Sequence, residues 1–243
     1  MTTADSAPPD AATSAPRTAR DRARAELTAE ILATARRHLA DVGASSLSLR
    51  AVSRDLGMAS SALYRYFPSR DALLTRLIIE AYDALGEACE AAEAGCARDD
   101  LLGRWRSITH EVRAWALAHP HEYALVYGSP IPGYAAPTDT IDPAGRVARL
   151  LIQLLFDIEA SGAADPALTA PIPASLSAQI HVLADGPVPV DHQRALFGVG
   201  AWVQLFGMIS FELFGQFVNT FDDAEALFAH QVDLMAVAVG LRP

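Results

Sequence analysis

The residues best equipped for catalytic chemistry are His119, His121 and Glu122, a tight cluster of imidazole and carboxylate groups. Such groups are the raw material of metal binding and acid–base catalysis. A helix places residues two apart on different faces, so the two histidines would not converge on one ion. No His-Glu-x-x-His, Cys-x-x-Cys or Gly-x-Ser-x-Gly pattern accompanies them. These side chains are read as solvated or capping, and no metal, cofactor or catalytic residue is assigned. The two cysteines, Cys89 and Cys96, are seven residues apart. On a helix they would be two turns apart, too far for a local disulfide, and they read as reduced thiols of a cytoplasmic protein.

A second set of residues suits binding rather than bond-making. Tyr64 and Tyr66 bring two phenolic hydroxyls into a stretch that also holds Arg50, Arg65 and Arg70. Hydroxyl and guanidinium donors in that company suit phosphate oxygens. Charge is distributed to match. Residues 17–76 carry eleven arginines against six acids, a surplus of five positive charges. Residues 77–243 carry eight arginines against twenty-one acids, so one end can face phosphate while the other is repelled by it. There is no lysine among the nineteen cations, and the use of arginine alone carries no functional weight.

The elements that must position these groups read as helices throughout, since apolar residues recur at helical spacing and no alternating strand pattern is found. Leu27, Ile31, Ala35, Leu39 and Val42 mark one stripe of a first helix, stopped by Gly43. Ser48 is placed to cap a second helix ending at Gly57, and Ser60 to cap a very short third one ending where Phe67 meets Pro68. Ser69 is placed to cap a long fourth helix buried along Leu73, Leu74, Leu77, Ile78, Ala81 and Leu85. Ser53, Gly57 and Leu63 then fall where a helix-turn-helix needs a small crossing residue, a left-handed turn and a core residue. Base edges would be read from Ala59, Ser60, Ser61 and Ala62, with Arg65 one turn on. Phe67 is assigned to the core and the two tyrosines to phosphate.

Further helices are expected at about 99–118, 120–127, 143–159, 190–217 and 223–241, separated by proline-rich connections at 128–143 and 162–189. A short helix is expected inside the second connection. Residues 1–20 lack an apolar core segment and are expected to form a disordered tail; Arg17 and Arg20, with the following Arg22 and Arg24, would make a basic arm beside the recognition helix, the alternative being a purely solubilising extension. The apolar run at 195–215 holds Gln204 and Glu212. A carboxylate inside hydrocarbon is costly, so this run is expected at a subunit interface and not in a membrane. Its Gly198, Gly200, Ala201 and Gly207 would let a partner helix approach closely.

The run from Leu56 to Leu74, with Leu63-Tyr64-Arg65-Tyr66-Phe67-Pro68-Ser69-Arg70 at its centre, strongly resembles the signature of the TetR family of transcription regulators. Likewise Ala201-Trp202-Val203-Gln204-Leu205-Phe206-Gly207 resembles the Trp-His-Gly subclass of its C-terminal domains, with Phe206 standing where that histidine would be. The resemblance implies an all-α protein with a three-helix helix-turn-helix domain at 21–76 and a helical ligand-binding and dimerisation domain at 77–243. It implies that Tyr64, Tyr66 and Arg70 contact phosphates, with Ser48 and Arg50 anchoring the opposite backbone. It also implies a cytoplasmic homodimer that binds double-stranded operator DNA, a repressor released by a small apolar effector. Trp105, Trp115, Tyr123, Tyr127, Trp202, Gln204 and Phe206 are the expected lining of the effector cavity, Tyr123, Tyr127 and Gln204 supplying its polar groups. Two other classes remain open from sequence: a binding protein of the same fold that does not read DNA, favoured by the bland Ala59 to Ala62 stretch, and an enzyme, for which no motif speaks.

Overall fold

A computed structural model describes residues 18–163, 166, 169–186 and 188–242. The first seventeen residues, Arg17 included, lie outside the described residues, so most of the expected tail goes with them. Among the described residues the chain is helical with no strand. Helix α1 (Ala19–Val42) begins earlier than its apolar stripe predicts, because Thr18 and Asp21 form a capping box. The Asp21 amide donates to Thr18 Oγ1 and the Thr18 amide donates to the Asp21 carboxylate, both at 3.2 Å. Arg20, Arg22 and Arg24 therefore project from two helical turns and not from a free arm. Gly43 ends α1 at φ +74°, but Val42 is half exposed instead of closing the stripe.

Helices α2 (Leu49–Asp55) and α3 (Ser60–Leu63) follow, and then α4 (Arg70–Ala94), capped by the Ser69 hydroxyl accepting from the Ala72 amide at 3.0 Å. The remaining elements are α5 (Leu101–Ala118), α6 (Pro120–Tyr127), α7 (Ile141–Ala144), α8 (Arg146–Ala160), α9 (Ala174–Ser177), α10 (His181–Ala184), α11 (His192–Leu213) and α12 (Ala224–Ala238). The short helix expected in the second proline-rich connection is two single turns, α9 and α10, set between Pro173 and Pro187 and joined by the turn residues 178–180.

Among the described residues two large hydrophobic cores organise the molecule, and a small third cluster of Ile180, Ala184, Val190 and Ala195 packs where α10 meets α11. The first gathers Ile31, Leu39, Val52, Leu63, Phe67 and Leu74 from α1 to α4. The second gathers Leu85, Trp105, Val112, Leu154, Leu205 and Phe228 from α4, α5, α8, α11 and α12. Two helices belong to both. Helix α4 gives Leu73 to Ile78 to the first core and Ala81 to Cys89 to the second, while α6 gives Leu125 to the first and Tyr123 to the second. A rotation of either helix must therefore disturb both cores, since close-packed interiors transmit displacement.

Charged pairs fasten the second core. Arg104, 1 % exposed, donates to Glu93 and Asp157 at 2.6 Å each, joining α4, α5 and α8. Arg113 grips Glu212 with two hydrogen bonds of 2.8 and 2.7 Å and also pairs with Glu225. Arg146 lies across Gly86 of α4 and reaches Glu90 at 2.9 and 2.6 Å; a Cβ on Gly86 would meet the Arg146 side chain at 2.6 Å. Helix α11 is long and apolar enough to cross a membrane by length and composition alone. Its Glu212 is held by Arg113 and its inner residues Leu205 and Ile209 are in the second core, the behaviour of a packed helix.

Candidate nucleic-acid interface and ligand cavity

The turn between α2 and α3 closes as the spacing demands. Gly57 sits at φ +64°, a left-handed conformation that glycine adopts without a Cβ clash, and the Met58 amide donates back to the Ser53 carbonyl at 2.8 Å. Buried Ser53 donates to the Arg50 carbonyl and shares a 3.0 Å hydrogen bond with Ser60 Oγ. Ser60 is thus turned inward, pinning α3 to α2. It is not the N-cap of α3; Ala59 holds that position. Ser48 does occupy the N-cap position of α2, but its hydroxyl makes no capping hydrogen bond.

Helix α3 separates two clefts. On one flank, a cleft of about 460 Å³ is lined by Ser48, Arg50, Tyr64, Ser69 and Arg70, among others. Tyr64 is 45 % exposed there and Arg50 is exposed, so both present free donors. Arg70 differs from the expectation. Its guanidinium donates to the Ala44, Ser45 and Leu47 carbonyls at 2.7, 3.1 and 3.2 Å, so it ties the 3₁₀ turn Ala44–Ser46 to the start of α4. In this conformation it builds the cleft wall with three of its five donors, and its remaining Nη1 lies 3.7 Å from the Asp71 carboxylate.

On the other flank, a cleft of about 440 Å³ is bounded by Arg20, Arg24, Met58, Ala62, Arg65 and Tyr66. Tyr66 is half-buried and packs against the first core, and the Arg24 guanidinium lies over its ring at 5.1 Å, within cation–π range. Tyr64 and Tyr66, grouped together by sequence, therefore serve opposite sides of α3. Between the flanks, Ala59, Ser61 and Arg65 are exposed. The sequence leads one to expect Arg20 and Arg24 in a free basic arm, whereas the structure sets them on the first turns of α1 in the wall of this cleft. Their i, i+4 spacing behind the Thr18 and Asp21 capping pair was the available signal.

In the second domain, an apolar cavity of about 210 Å³ opens between α8 and α11, with Trp105, Leu151, Ile152, Leu155, Val199 and Trp202 in its wall. Of the expected lining only Trp105 and Trp202 are brought there. Trp105 is floor, and its indole N–H is committed to the Val232 carbonyl at 3.0 Å. Tyr123 is fully buried, and its hydroxyl is satisfied at 2.9 Å by the Phe206 carbonyl and at 2.9 Å by Ser210. Tyr127 and Phe206 pack with ring centroids 4.2 Å apart and planes tilted by 34°. Burial pushes the Tyr123 and Tyr127 hydroxyls above the usual phenol range. Trp115 stacks on His119 at 4.9 Å. Gln204 lies on the outer surface of α11, where it donates to Gln231 of α12 at 2.6 Å, so it faces away from the cavity. Tyr123, Tyr127 and Phe206 thus pack on one another as core instead of lining a space for a ligand.

The three residues of the histidine cluster have separate surroundings. His121 is exposed, His119 contacts the Trp115 carbonyl at 3.0 Å, and Glu122 faces Arg36 at 3.7 Å. That last contact belongs to a junction between the domains. Arg36 of α1 also pairs with Glu80 of α4, Glu80 accepts from Arg76 at 2.8 Å, and the Tyr134 hydroxyl meets Thr75 Oγ1 at 2.9 Å.

A short exposed helix flanked by cationic clefts, held by a Gly57 turn and carried on two helices shared with a second core, defines a helix-turn-helix DNA-binding regulator. The comparisons with known proteins agree. Residues 31–77 match the family described as bacterial regulatory proteins, tetR family, and residues 105–235 match the tetracyclin repressor-like C-terminal domain. The HTH-type transcriptional regulator Rv1816 of Mycobacterium tuberculosis is 38 % identical over 223 residues, covering 89 % of this chain and 94 % of its own. Mb1846 of Mycobacterium bovis is equally similar. The crystal structure of the regulatory protein SCO4313 superposes with a TM-score of 0.72 at 36 % identity, over 90 % of this chain and 98 % of that one. PfmR from Thermus thermophilus, at 19 % identity and TM-score 0.55 over 88 % and 99 % of the two chains, shares the fold. The chain belongs to the TetR family of DNA-binding transcriptional regulators.

Proposed function

We propose that this regulator is a homodimeric repressor released from its operator by a small apolar molecule bound between α8 and α11. The observation that carries the reading is the apolar cavity, joined to the reader through two helices that both cores share. On this reading the reader spans 21–76 and the sensor 77–243, the boundary falling inside α4. Ser48, Arg50 and Tyr64 hold one backbone, Tyr66 with Arg20 and Arg24 holds the other, and Ser61 and Arg65 face base edges. Arg70 shapes the first cleft, and Ser60 fixes the angle of α3.

The dimer forms through α11 and α12. Val199, Val203 and Phe211 lie exposed along α11, and Leu234 and Val237 along α12. Gly200 and Gly207 have nothing within 4 Å of where a Cβ would stand, leaving room for a facing helix. Gly198 and Ala201 serve the inside instead: a Cβ on Gly198 would meet Leu155 at 2.6 Å, and Ala201 is buried. Effector binding changes operator affinity only by its differential affinity for two head spacings, typically about 1–3 kcal/mol. Selection of binding sites from random duplex DNA tests the reading. It should yield a two-fold symmetric site whose occupancy falls on adding the effector; recovery of no preferred sequence would overturn it.

A further inference from the structure

Helix α6 has two working faces. Tyr123 and Tyr127, one turn apart, are built into the second core, and the Tyr123 hydroxyl reaches α11 at the Phe206 carbonyl and Ser210. Glu122 and Leu125, three residues apart and so on one face, turn to the reader instead. Leu125 is buried in the first core, and Glu122 faces Arg36 of α1 at 3.7 Å. Adjacent residues of one short helix therefore hold a sensor helix and a reader helix. Arg36 is shared with Glu80 of α4, and Glu80 is held in addition by Arg76 at 2.8 Å. Both carboxylates are largely withdrawn from water.

Helix α4 runs through both cores, and a single shared helix leaves the reader free to swing about that helix's axis. Leu125 resists a swing by apolar contact, which has no preferred direction. The Tyr134 hydroxyl meets Thr75 on α4 itself, so it adds no hold away from the axis. The Arg36–Glu122 pair stands off the axis and is directional, because a guanidinium presents its donors in a rigid plane. We infer that Arg36 and Glu122 form a stay that fixes the angle of the reader on the sensor, and with it the half-site spacing that the dimer accepts. The inference rests on the dimeric operator reading above and adds two positioning residues that line neither cleft beside α3. One base pair inserted between half-sites moves the second by about 3.4 Å and turns it by about 35°. A stayed reader rejects that displacement, and a freed one follows it.

The test uses the full chain and the operator recovered from random duplex DNA, set beside two versions with one base pair added or removed between the half-sites. Glu122→Gln keeps the side chain's shape and leaves Arg36 on Glu80, while Arg36→Met leaves Glu80 on Arg76. Each should bind a duplex carrying one half-site as wild type does. Each should also lose preference for the selected spacing about fivefold, the scale of a partly buried pair acting in two protomers. The ratio of affinities cancels any fall in the folded fraction, so a merely stabilising role would leave it unmoved. An unchanged ratio in either variant would overturn the inference and leave the operator reading standing. Weaker half-site binding at an unchanged ratio would overturn it too, since the pair would then serve DNA contact and not angle. Recovery of no two-fold site by the wild-type chain would overturn the operator reading itself.

Discussion

The two domains use the same cation in opposite ways. In the reader, Arg20, Arg22, Arg50 and Arg65 are exposed with no ion pair among the described residues, and Arg24 rests on a tyrosine ring. In the sensor, Arg104, Arg113, Arg146 and Arg194 are largely withdrawn from water and each is matched by carboxylates. An unmatched guanidinium on a surface is available to a phosphate at small desolvation cost. A matched one inside a helical bundle fixes how helices sit, and its removal strands its partners. Within residues 17–76 Arg36, Arg54, Arg70 and Arg76 are paired, so the free donors of the reader are Arg20, Arg22, Arg50 and Arg65, while the acidic excess beyond is partly consumed internally.

Substitutions to alanine should therefore separate cleanly into two kinds. The largest effect belongs to Arg104→Ala, which removes the buried cation between Glu93 and Asp157 and leaves them only the exposed Arg98. Breaking a buried pair costs about 3–5 kcal/mol, read as a lowered urea midpoint. A loss under about 1 kcal/mol would mean that water already solvates this triad, and the contrast between domains would shrink. Next in size, Arg50→Ala and Arg24→Ala should weaken binding to specific and random DNA alike and lower the salt slope by about 0.9 each. Their unfolding midpoints should stay within about 0.5 kcal/mol of wild type. Arg65→Ala should in addition relax base preference by about 1–3 kcal/mol at one position. Arg70→Ala should behave like a sensor arginine, costing stability through the freed Ala44 and Leu47 carbonyls as well as DNA affinity.

A smaller effect tests the turn that orients the reader. Gly57→Ala forces a Cβ into a left-handed conformation, although nothing stands within 4 Å of it. The expected loss is about 1 kcal/mol from backbone strain alone, by urea unfolding. A neutral result would show that the turn relaxes and that α3 tolerates a new angle.

The reader was far more legible in the sequence than the cavity, for a physical reason. Helix-turn-helix geometry depends on local events: a small residue at a crossing, a left-handed glycine and a proline stop all leave marks at fixed spacing. Gly57, Ser53 and Leu63 were placed from those marks. Even there, the sequence pattern could not tell the inward Ser60 from the outward Ser61, nor show that Arg70 spends its donors on carbonyls 23 to 26 residues away. A cavity is the space that long-range packing leaves, and aromatic side chains fill space as readily as they line it. Tyr123, Tyr127 and Phe206 joined the second core and Gln204 turned outward, whereas Leu155, Gly198 and Val199, residues of ordinary type, made the wall.

The smallest predicted effect concerns acid. The Arg146 hydrogen bonds hold the Glu90 carboxyl below the usual carboxylate range, and Arg106 does the same for Asp233, joining α5 to α12. A carboxyl whose pKa is lower folded than unfolded contributes stability that is fully present above the unfolded value. That contribution is lost as pH falls through the folded value. Wild type should therefore lose more stability than Glu90→Gln between about pH 7 and about pH 3, with urea midpoints as the measure. The difference should be modest, since the Glu90 side chain is 43 % exposed and Asp233 34 %, and solvent screens both pairs. Added salt should shrink it further, whereas the Arg104 deficit, set in a buried triad, should persist. If the Glu90 difference survived high salt as the Arg104 deficit does, α4 and α8 would be joined by a pair as dry as the triad, and exposure would be a poor guide to which arginines are structural.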